Sequence, residues 1–316
     1  MVIRLVAVAA FATLVACVPQ PAPDSDATPA VAREANDAVD RRQLMADLTI
    51  LAADDMQGRG AGTPGGEQAR AYVVSRFEAL GLAAPPSGRL QPFQRQGRRG
   101  PVSGFNVLGV VRSTATPERW IVVSAHYDHL GVRDGQTYNG ADDNASGVAS
   151  LLELARRLRR TAPRHSVLLV AFDAEEQGLS GARHYVENPV VPLAATAVNL
   201  NLDMTAREDD GVLWVTGTHQ NPSLRPPLEA LAPVGPVRLR FGKDTPQDLG
   251  ENNWVNASDH AAFHARGVPF VYLGADYHAD YHQPTDDVAR IRPEVFAAAT
   301  ELVLRAFRAL DEGLDR

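Results

Sequence analysis

Two hydrophobic patterns alternate along most of the chain and predict its secondary structure. Apolar residues recur every three to four positions, as in amphipathic helices, in residues 42–53, 68–82, 146–158 and 293–310. Short apolar runs, typical of strands, lie at residues 105–111, 120–124, 167–172, 197–202 and 270–273. Because helices and strands alternate, we expect an α/β fold: a three-layer α/β/α sandwich with a mixed, mostly parallel central sheet.

The first residues have the features of an export signal rather than of a folded domain. A short basic start precedes an apolar stretch that is too short to span a bilayer, and Leu14-Val15-Ala16-Cys17 resembles the bacterial lipobox. We therefore expect a signal peptide with a lipobox cysteine at residues 1–17, a flexible Pro- and Ala-rich linker at 18–36 and one globular domain at 37–316. The protein would be exported and held in a bacterial cell envelope only by its lipid. The alternative is ordinary cleavage, for instance after Ala12, and secretion.

Composition and charge exclude several classes of function. The formal net charge is -7 and the pI about 5.7, whereas a nucleic-acid binder needs a basic surface for phosphates. Cys17 is the only cysteine, so the mature domain has no thiolate to bind a metal and no internal disulfide. Residues 60–65 match G-x-G-x-x-G, but a predicted helix precedes them where the dinucleotide fingerprint requires a strand. We expect neither nucleic-acid nor dinucleotide binding.

Imidazoles and carboxylates follow the ends of four predicted strands. These residues are His126 and Asp128, then Glu175 and Glu176, then Asp203, and finally His278 and His282. A further carboxylate, Asp142, precedes the helix predicted at residues 146–158. The carboxyl ends of strands in an open α/β sheet line the ligand crevice. We therefore expect these side chains to meet at one edge of the sheet.

So many carboxylates in one place require compensation. Each motif alone has an ordinary structural explanation; an Asp before a helix, for example, is usually an N-cap. Burying Asp142, Glu176 and Asp203 together, however, costs several kcal/mol through like-charge repulsion and desolvation unless cations are present. Two divalent ions would compensate this charge. Imidazole and carboxylate ligands without thiolate suit zinc, and cobalt or manganese in vitro.

Seven motifs resemble those of the M28 family of zinc aminopeptidases, in the family's order and over residues 44–290. They are GRGAGT at 58–63, SAHYDH at 124–129, NGADDNASG at 139–147, AEEQGL at 174–179, NLDM at 201–204, SDH at 258–260 and DYHQPTDD at 280–287.

The resemblance implies a role for each residue at the predicted centre. One zinc would be held by His126, Asp142 and Asp203, and the other by Asp142, Glu176 and His282, with Asp142 bridging the two. Asp128 would fix the ring of His126, and Glu175 would be the general base. The resemblance also implies a cis peptide bond between Asp142 and Asp143.

Some assignments stay open in the sequence. Asp276-Tyr277-His278 nearly duplicates Asp280-Tyr281-His282, and the residues that follow favour His282 as the ligand. Asn256 stands where some secreted relatives have a tyrosine that helps to stabilise the oxyanion, so Asn256, Tyr281 or His260 could donate that hydrogen bond. The other histidines are interpreted as structural or surface residues: His129, His165, His184, His219 and His264.

By the same resemblance, the protein is expected to be a metallo-aminopeptidase with two zinc ions per chain that cleaves peptides with a free N-terminus. Three alternatives share the fold. A glutaminyl cyclase uses one zinc, a carboxypeptidase or dipeptidase shares the metal core, and a binding relative without activity has typically lost ligands. The sequence carries no signal of oligomeric state.

Overall fold

The computed structural model describes Val2, residues 38–97 and residues 100–314. From Val39 onward these residues belong to one compact unit. The predicted signal peptide, apart from Val2, and the predicted linker at 18–36 lie outside the described residues, as does Cys17. In the described part of the chain, no helix has the length and hydrophobicity of a membrane span.

A mixed sheet of eight strands forms the middle layer. The sheet strands are β1 Leu90–Gly97, β2 Gly100–Val111, β3 Thr116–His126, β6 His165–Phe172, β7 Thr196–Leu202, β8 Val212–Thr216, β9 Arg238–Phe241 and β10 Phe270–Gly274. Their order in the sheet is β1-β2-β6-β3-β7-β10-β8-β9. Strands β3, β6, β7 and β10 run parallel to one another, as do β8 and β9, whereas β1–β2, β2–β6 and β8–β10 are antiparallel pairs. A separate hairpin consists of β4 Gly131–Arg133 and β5 Gln136–Tyr138.

Helices cover both faces of this sheet. On one face lie α1 Arg41–Leu51, α2 Pro64–Ala79, α3 Gly147–Arg160, α5 Arg225–Glu229 and α7 Pro293–Gly313. On the other lie α4 Ser180–Glu187 and α6 His260–His264. Along β3, Ile121 and Val123 belong to the first core and Trp120 and Val122 to the second, because successive strand residues point to opposite faces.

The architecture confirms the predicted three-layer sandwich, and each predicted helix and strand is present with small shifts at its ends. The sequence pattern missed short elements, among them β1, β9 and α4. Strand β9 lies at a sheet edge and alternates exposed and half-buried residues, two of them arginines. Such a segment lacks the apolar run by which the central strands were predicted.

The parallel strands deliver their carboxyl ends to one edge of the sheet. His126, the last residue of β3, is paired with Phe172, the last residue of β6. Leu202 ends β7 and is paired with Leu273 of β10. The segments that follow these strands therefore begin side by side.

Candidate metal centre

The first group of side chains at this edge consists of His126, Asp143 and Asp203. His126 Nε2 lies 3.3 Å from Asp203 Oδ1 and 3.4 Å from Asp143 Oδ1. All three residues are buried, and one ligand atom from each lies within 4.8 Å of the others. An imidazole and two carboxylates at this spacing could hold a metal ion.

A second group lies against the other oxygen of Asp143. His282 Nε2 is 3.0 Å from Asp143 Oδ2 and 3.4 Å from Glu176 Oε1. The exposed fraction of the Glu176 side chain is only 8%. Asp143 thus presents one carboxylate oxygen to each group.

The structure corrects the predicted position of the shared carboxylate, because Asp142 does not lie between the two groups. Asp142 Oδ1 accepts the backbone N–H of Ala206 at 2.8 Å, and Asp142 Oδ2 lies 3.1 Å from His278 Nε2. The cis peptide bond is also one residue further along than expected, between Asp143 and Asn144. Two adjacent aspartates in a turn point in different directions, so the doublet alone does not identify which one faces the site.

The near-duplicate histidines separate in space. His282 lies beside Asp143 and Glu176, whereas His278 is paired with Asp142. The Asp142–His278 pair links the turn before α3 to the loop after β10.

Asp128 positions two segments at once. Its backbone carbonyl lies 3.1 Å from His126 Nδ1, closer than its carboxylate at 3.6 Å. Its carboxylate oxygens accept the backbone N–H groups of Glu175, at 3.0 Å, and Glu176, at 3.3 Å. The predicted role beside His126 therefore extends to the turn that carries both glutamates.

Glu175 faces the first group from a confined position. Burial raises the pKa of its carboxyl well above the usual value, and neighbouring Glu176 and Asp259 raise it further, while His126 opposes the shift. Asp259 is itself fully buried, and neither of its carboxylate oxygens has a hydrogen-bond partner in the described residues. A raised pKa of this kind is typical of carboxyls that act as general acids or bases.

Two cavities flank the groups. The smaller, of about 30 Å³, adjoins Glu175 and Asp203 and has an aromatic wall of Trp254, Tyr272, Tyr277 and Tyr281. The larger, of about 550 Å³, adjoins Glu176 and His129. His282 lines both cavities.

The three residues considered for the oxyanion are in different environments. Asn256 is exposed and is not among the residues that line the smaller cavity. His260 Nε2 lies 2.8 Å from the backbone carbonyl of Trp254. Tyr281 lines the cavity and stacks on His282, with ring centroids 3.9 Å apart.

His129 was interpreted from the sequence as structural or surface, but the structure places it at the second group. Its Nδ1 lies 2.9 Å from Glu176 Oε1 and 3.8 Å from Asp143 Oδ2, and its exposed fraction is 2%. His129, Asp143 and Glu176 together could hold a metal ion. The sequence feature that could have identified His129 is its place in the same strand-end segment as His126 and Asp128.

Arg59 braces the turn that carries Asp143. Its guanidinium is fully buried and donates to the backbone carbonyls of Leu51, Tyr127, Asn139, Gly140 and, at 3.5 Å, Asp143. Burial lowers its pKa to about 10, although nearby carboxylates oppose the shift. Arg59 is therefore still a cation at neutral pH, beside the acidic centre. In the sequence, Arg59 belongs to the GRGAGT motif at 58–63, and no role was predicted for it.

Comparison with known proteins identifies the family. Peptidase family M28 matches residues 106–307. The chain belongs to peptidase family M28. Aminopeptidase YwaD of Bacillus subtilis (strain 168) is 30% identical over 241 residues, which cover 72% of this chain and 48% of that protein. The probable glutamate carboxypeptidase LAMP1 of Arabidopsis thaliana is 32% identical over 178 residues, 54% of this chain and 23% of that protein. This M28 chain therefore spans less than half the length of either relative.

Solved structures share the M28 fold over most of their length. Glutaminyl cyclase of Porphyromonas gingivalis matches with a TM-score of 0.70 at 20% identity, covering 87% of this chain and 98% of that one. BSAP, a zinc aminopeptidase from Bacillus subtilis, matches with a TM-score of 0.67 at 19% identity, covering 84% and 94%. Both likenesses concern the fold alone.

Proposed function

We propose that the protein is an aminopeptidase that binds two zinc ions and hydrolyses the first peptide bond of peptides with a free N-terminus. The observation that carries this proposal is the position of Asp143, whose two oxygens face two separate groups of imidazole and carboxylate side chains. The names of YwaD and BSAP, an aminopeptidase and a zinc aminopeptidase, support the same reaction.

The side chains fit two zinc ions. One ion would be held by His126, Asp143 and Asp203, and the other by Asp143, Glu176 and His282. Both sets combine imidazole with carboxylate, as catalytic zinc sites do. Glu176 Oε1 is buried and has no hydrogen-bond partner in the described residues, which is costly unless a cation lies against it.

Glu175 serves as the general base in this proposal. Bound zinc would lower the pKa of a water to about 7 and polarise the substrate carbonyl. Glu175 takes a proton from the attacking water and then gives it to the leaving amine. The Asp128 carboxylate accepts the backbone N–H of Glu175 and so keeps Glu175 in place. Tyr281, which lines the smaller cavity, donates a hydrogen bond to the oxyanion.

In this proposal the first substrate residue binds against the smaller cavity. Its lining combines the aromatic and apolar side chains of Trp254, Tyr277 and Met204 with the carboxyl groups of Asp203 and Glu175. These carboxyl groups favour the free ammonium group of the substrate, which a blocked N-terminus lacks. A free N-terminus is therefore required.

The exchange of one glutamate tests this function. Glu175→Gln removes the base but keeps the shape, so we expect kcat on an amino-acid anilide to fall by ~10²–10⁴ while both zinc ions stay bound. Glu187→Gln, on the surface beside Arg95, is the matched control and should retain full activity. Unchanged hydrolysis by the Glu175 variant would refute the proposed base.

Measurements on the same purified protein distinguish two other activities from the proposed one. A glutaminyl cyclase would bind one zinc and convert an N-terminal glutamine into pyroglutamate; the match to a cyclase structure concerns the fold only. A carboxypeptidase, the activity named for LAMP1, would shorten peptides from the other end. Metal analysis combined with a peptide-library digest distinguishes all three outcomes.

We also propose that the protein is exported and anchored by a lipid on Cys17. The lipobox-like residues before Cys17 support this location. Expressed in a bacterium that processes lipoproteins, the wild-type protein should fractionate with membranes and incorporate labelled palmitate. Cys17→Ser should abolish both. A soluble, unlabelled wild-type protein would favour ordinary secretion.

A further inference from the structure

We propose that His129 is a ligand of the second metal ion, so that two imidazoles, His129 and His282, hold this ion together with Asp143 and Glu176. This inference rests on the proposed two-metal function but does not follow from it, because the ligand sets are complete without His129. The inference concerns the coordination of one ion rather than the reaction.

The first observation is a pair of buried atoms that face each other without a hydrogen bond. His129 Nδ1 and Glu176 Oε1 lie 2.9 Å apart, yet in the described residues neither atom has a hydrogen-bond partner of acceptable geometry. Leaving two buried polar atoms unsatisfied is costly. In the tautomer with the proton on Nε2, His129 Nδ1 and Glu176 Oε1 both present a lone pair, so a single cation shared between them would satisfy both atoms. The Nε2–H of His129 then still has no partner in the described residues.

The second observation is that the imidazole is held in a fitted place. A Cβ atom at Gly140 would lie 2.0 Å from the Asp143 carbonyl oxygen, 2.5 Å from His129 Cδ2 and 2.6 Å from His129 Cγ, so the absence of a side chain leaves room for both the Asp143 backbone and the ring. The backbone of His129 forms a bridge with Gly60, and its N–H donates to the Arg59 carbonyl at 3.3 Å. A fitted ring on a fixed backbone can keep a ligand in place.

The third observation is the position of His129 relative to His282. Their rings meet edge to face, with centroids 5.8 Å apart, and both line the larger cavity together with Glu176. Each ring has a nitrogen close to the same two carboxylates, Asp143 and Glu176. The two imidazoles therefore approach one point from different sides.

The competing role for His129 is that of a hydrogen-bond donor that orients Glu176 without contacting the ion. The two roles predict opposite rankings for a matched pair of variants. In His129→Asp and His129→Asn, the δ atoms of the new side chain take the place of Nδ1. Aspartate offers a metal ligand but repels Glu176, whereas asparagine offers a hydrogen-bond donor but is a poor zinc ligand.

The experiment measures zinc affinity and coordination rather than turnover. Zinc titration with a competing chelator gives the dissociation constant of each site, and X-ray absorption gives the number of imidazoles per zinc. Wild type should bind two zinc ions with three imidazoles between them. His129→Asn should weaken the second site by more than ~100-fold, beyond the effect typical of residues behind the ligands, and His129→Asp should weaken it much less. His219→Ala, at an exposed position, is the control and should behave as wild type.

Each outcome has one meaning. Two zinc ions in wild type with His129→Asn binding as well as or better than His129→Asp overturns the ligand role of His129 and leaves the proposed function standing. An unchanged imidazole count in His129→Asn also overturns it. A wild-type protein that binds fewer than two zinc ions contradicts the proposed function itself and the inference with it. Thermal melts of the two variants without metal identify any loss of folding, and the wild-type imidazole count then decides alone.

Discussion

The Asp128 carboxylate accepts the backbone N–H of Glu175 at 3.0 Å, which ties the end of β3 to the turn after β6. The other oxygen of Asp128 accepts the N–H of Glu176. Asp128→Asn replaces one of these acceptor oxygens with a donor, so one glutamate loses its anchor. We expect kcat to fall by ~10–100-fold, with a weaker second zinc site. Steady-state kinetics together with zinc analysis measure both effects; wild-type values for both would contradict this role.

The two adjacent aspartates should differ sharply in metal binding. Asp143 faces both groups, whereas the carboxylate oxygens of Asp142 contact the backbone N–H of Ala206 and the ring of His278. Asp143→Asn should therefore reduce zinc content at both sites, and Asp142→Asn should leave two zinc ions bound. Zinc per chain after dialysis against a weak chelator gives the comparison. The reverse pattern would restore Asp142 as the bridging residue.

Arg59 should contribute much more to stability than an arginine on the surface. Arg59→Met leaves several buried carbonyls without a donor, at about 1–3 kcal/mol each, so we expect the free energy of unfolding to fall by at least ~3 kcal/mol. Arg308, whose side chain is 66% exposed and paired with Glu312, provides the matched control. Its replacement by Met should cost less than ~1 kcal/mol. Urea unfolding measures the free energy of unfolding of both variants. Equal losses in the two variants would contradict the proposed contribution of Arg59 to stability.

The hydroxyl of Tyr281 should matter for the reaction rather than for binding. If it stabilises the oxyanion, Tyr281→Phe should lower kcat by ~10²–10³ with little change in KM. Tyr277→Phe changes the neighbouring tyrosine of the same cavity wall and should retain kcat within a few-fold. A similar loss in both variants would point to the shape of the wall instead.

Metal removal should lower the melting temperature. Asp143, Glu176 and Asp203 lie within one small region, and without metal ions their mutual repulsion is only partly compensated by nearby cations such as Arg59. A zinc site saturated at a hundredfold excess over Kd stabilises the protein by about 2.7 kcal/mol, or on the order of 5–10 °C. Calorimetry with a chelator, and then with added zinc, should record the drop and its reversal, whereas magnesium should not restore it. An unchanged melting temperature would argue against metal at this site.

The sequence predicted the fold and the edge of the sheet at which the site lies, because both follow from local pattern. The apolar runs of β3, β6, β7 and β10 identify the central strands, and the carboxyl ends of parallel strands meet at one edge. His126, Glu176 and Asp203 were predicted in this way, and the structure places them at that edge. Their positions depend on strand ends and on little else.

The residues missed or misplaced depend on contacts between distant segments. Which aspartate of the doublet faces the site is decided in a turn whose N–H groups, at Asp142 and Asp143, donate to Asp286 far along the chain. His129 reaches Glu176 only because β3 and β6 are neighbours. The spacing of nearby residues predicts neither contact, although the place of His129 in the strand-end segment does predict the edge of the sheet at which it lies.

The bonds of Arg59 also set a limit on how far the chain can be shortened. The side chains that form the two groups all come after residue 125, and the family match begins at residue 106. A fragment cut at that boundary would inherit all the metal-binding groups and none of the guanidinium bonds that hold the Asn139–Gly140 carbonyls in place. We therefore expect the smallest piece of this chain that keeps the geometry of the two groups to start well before the region by which its family is identified.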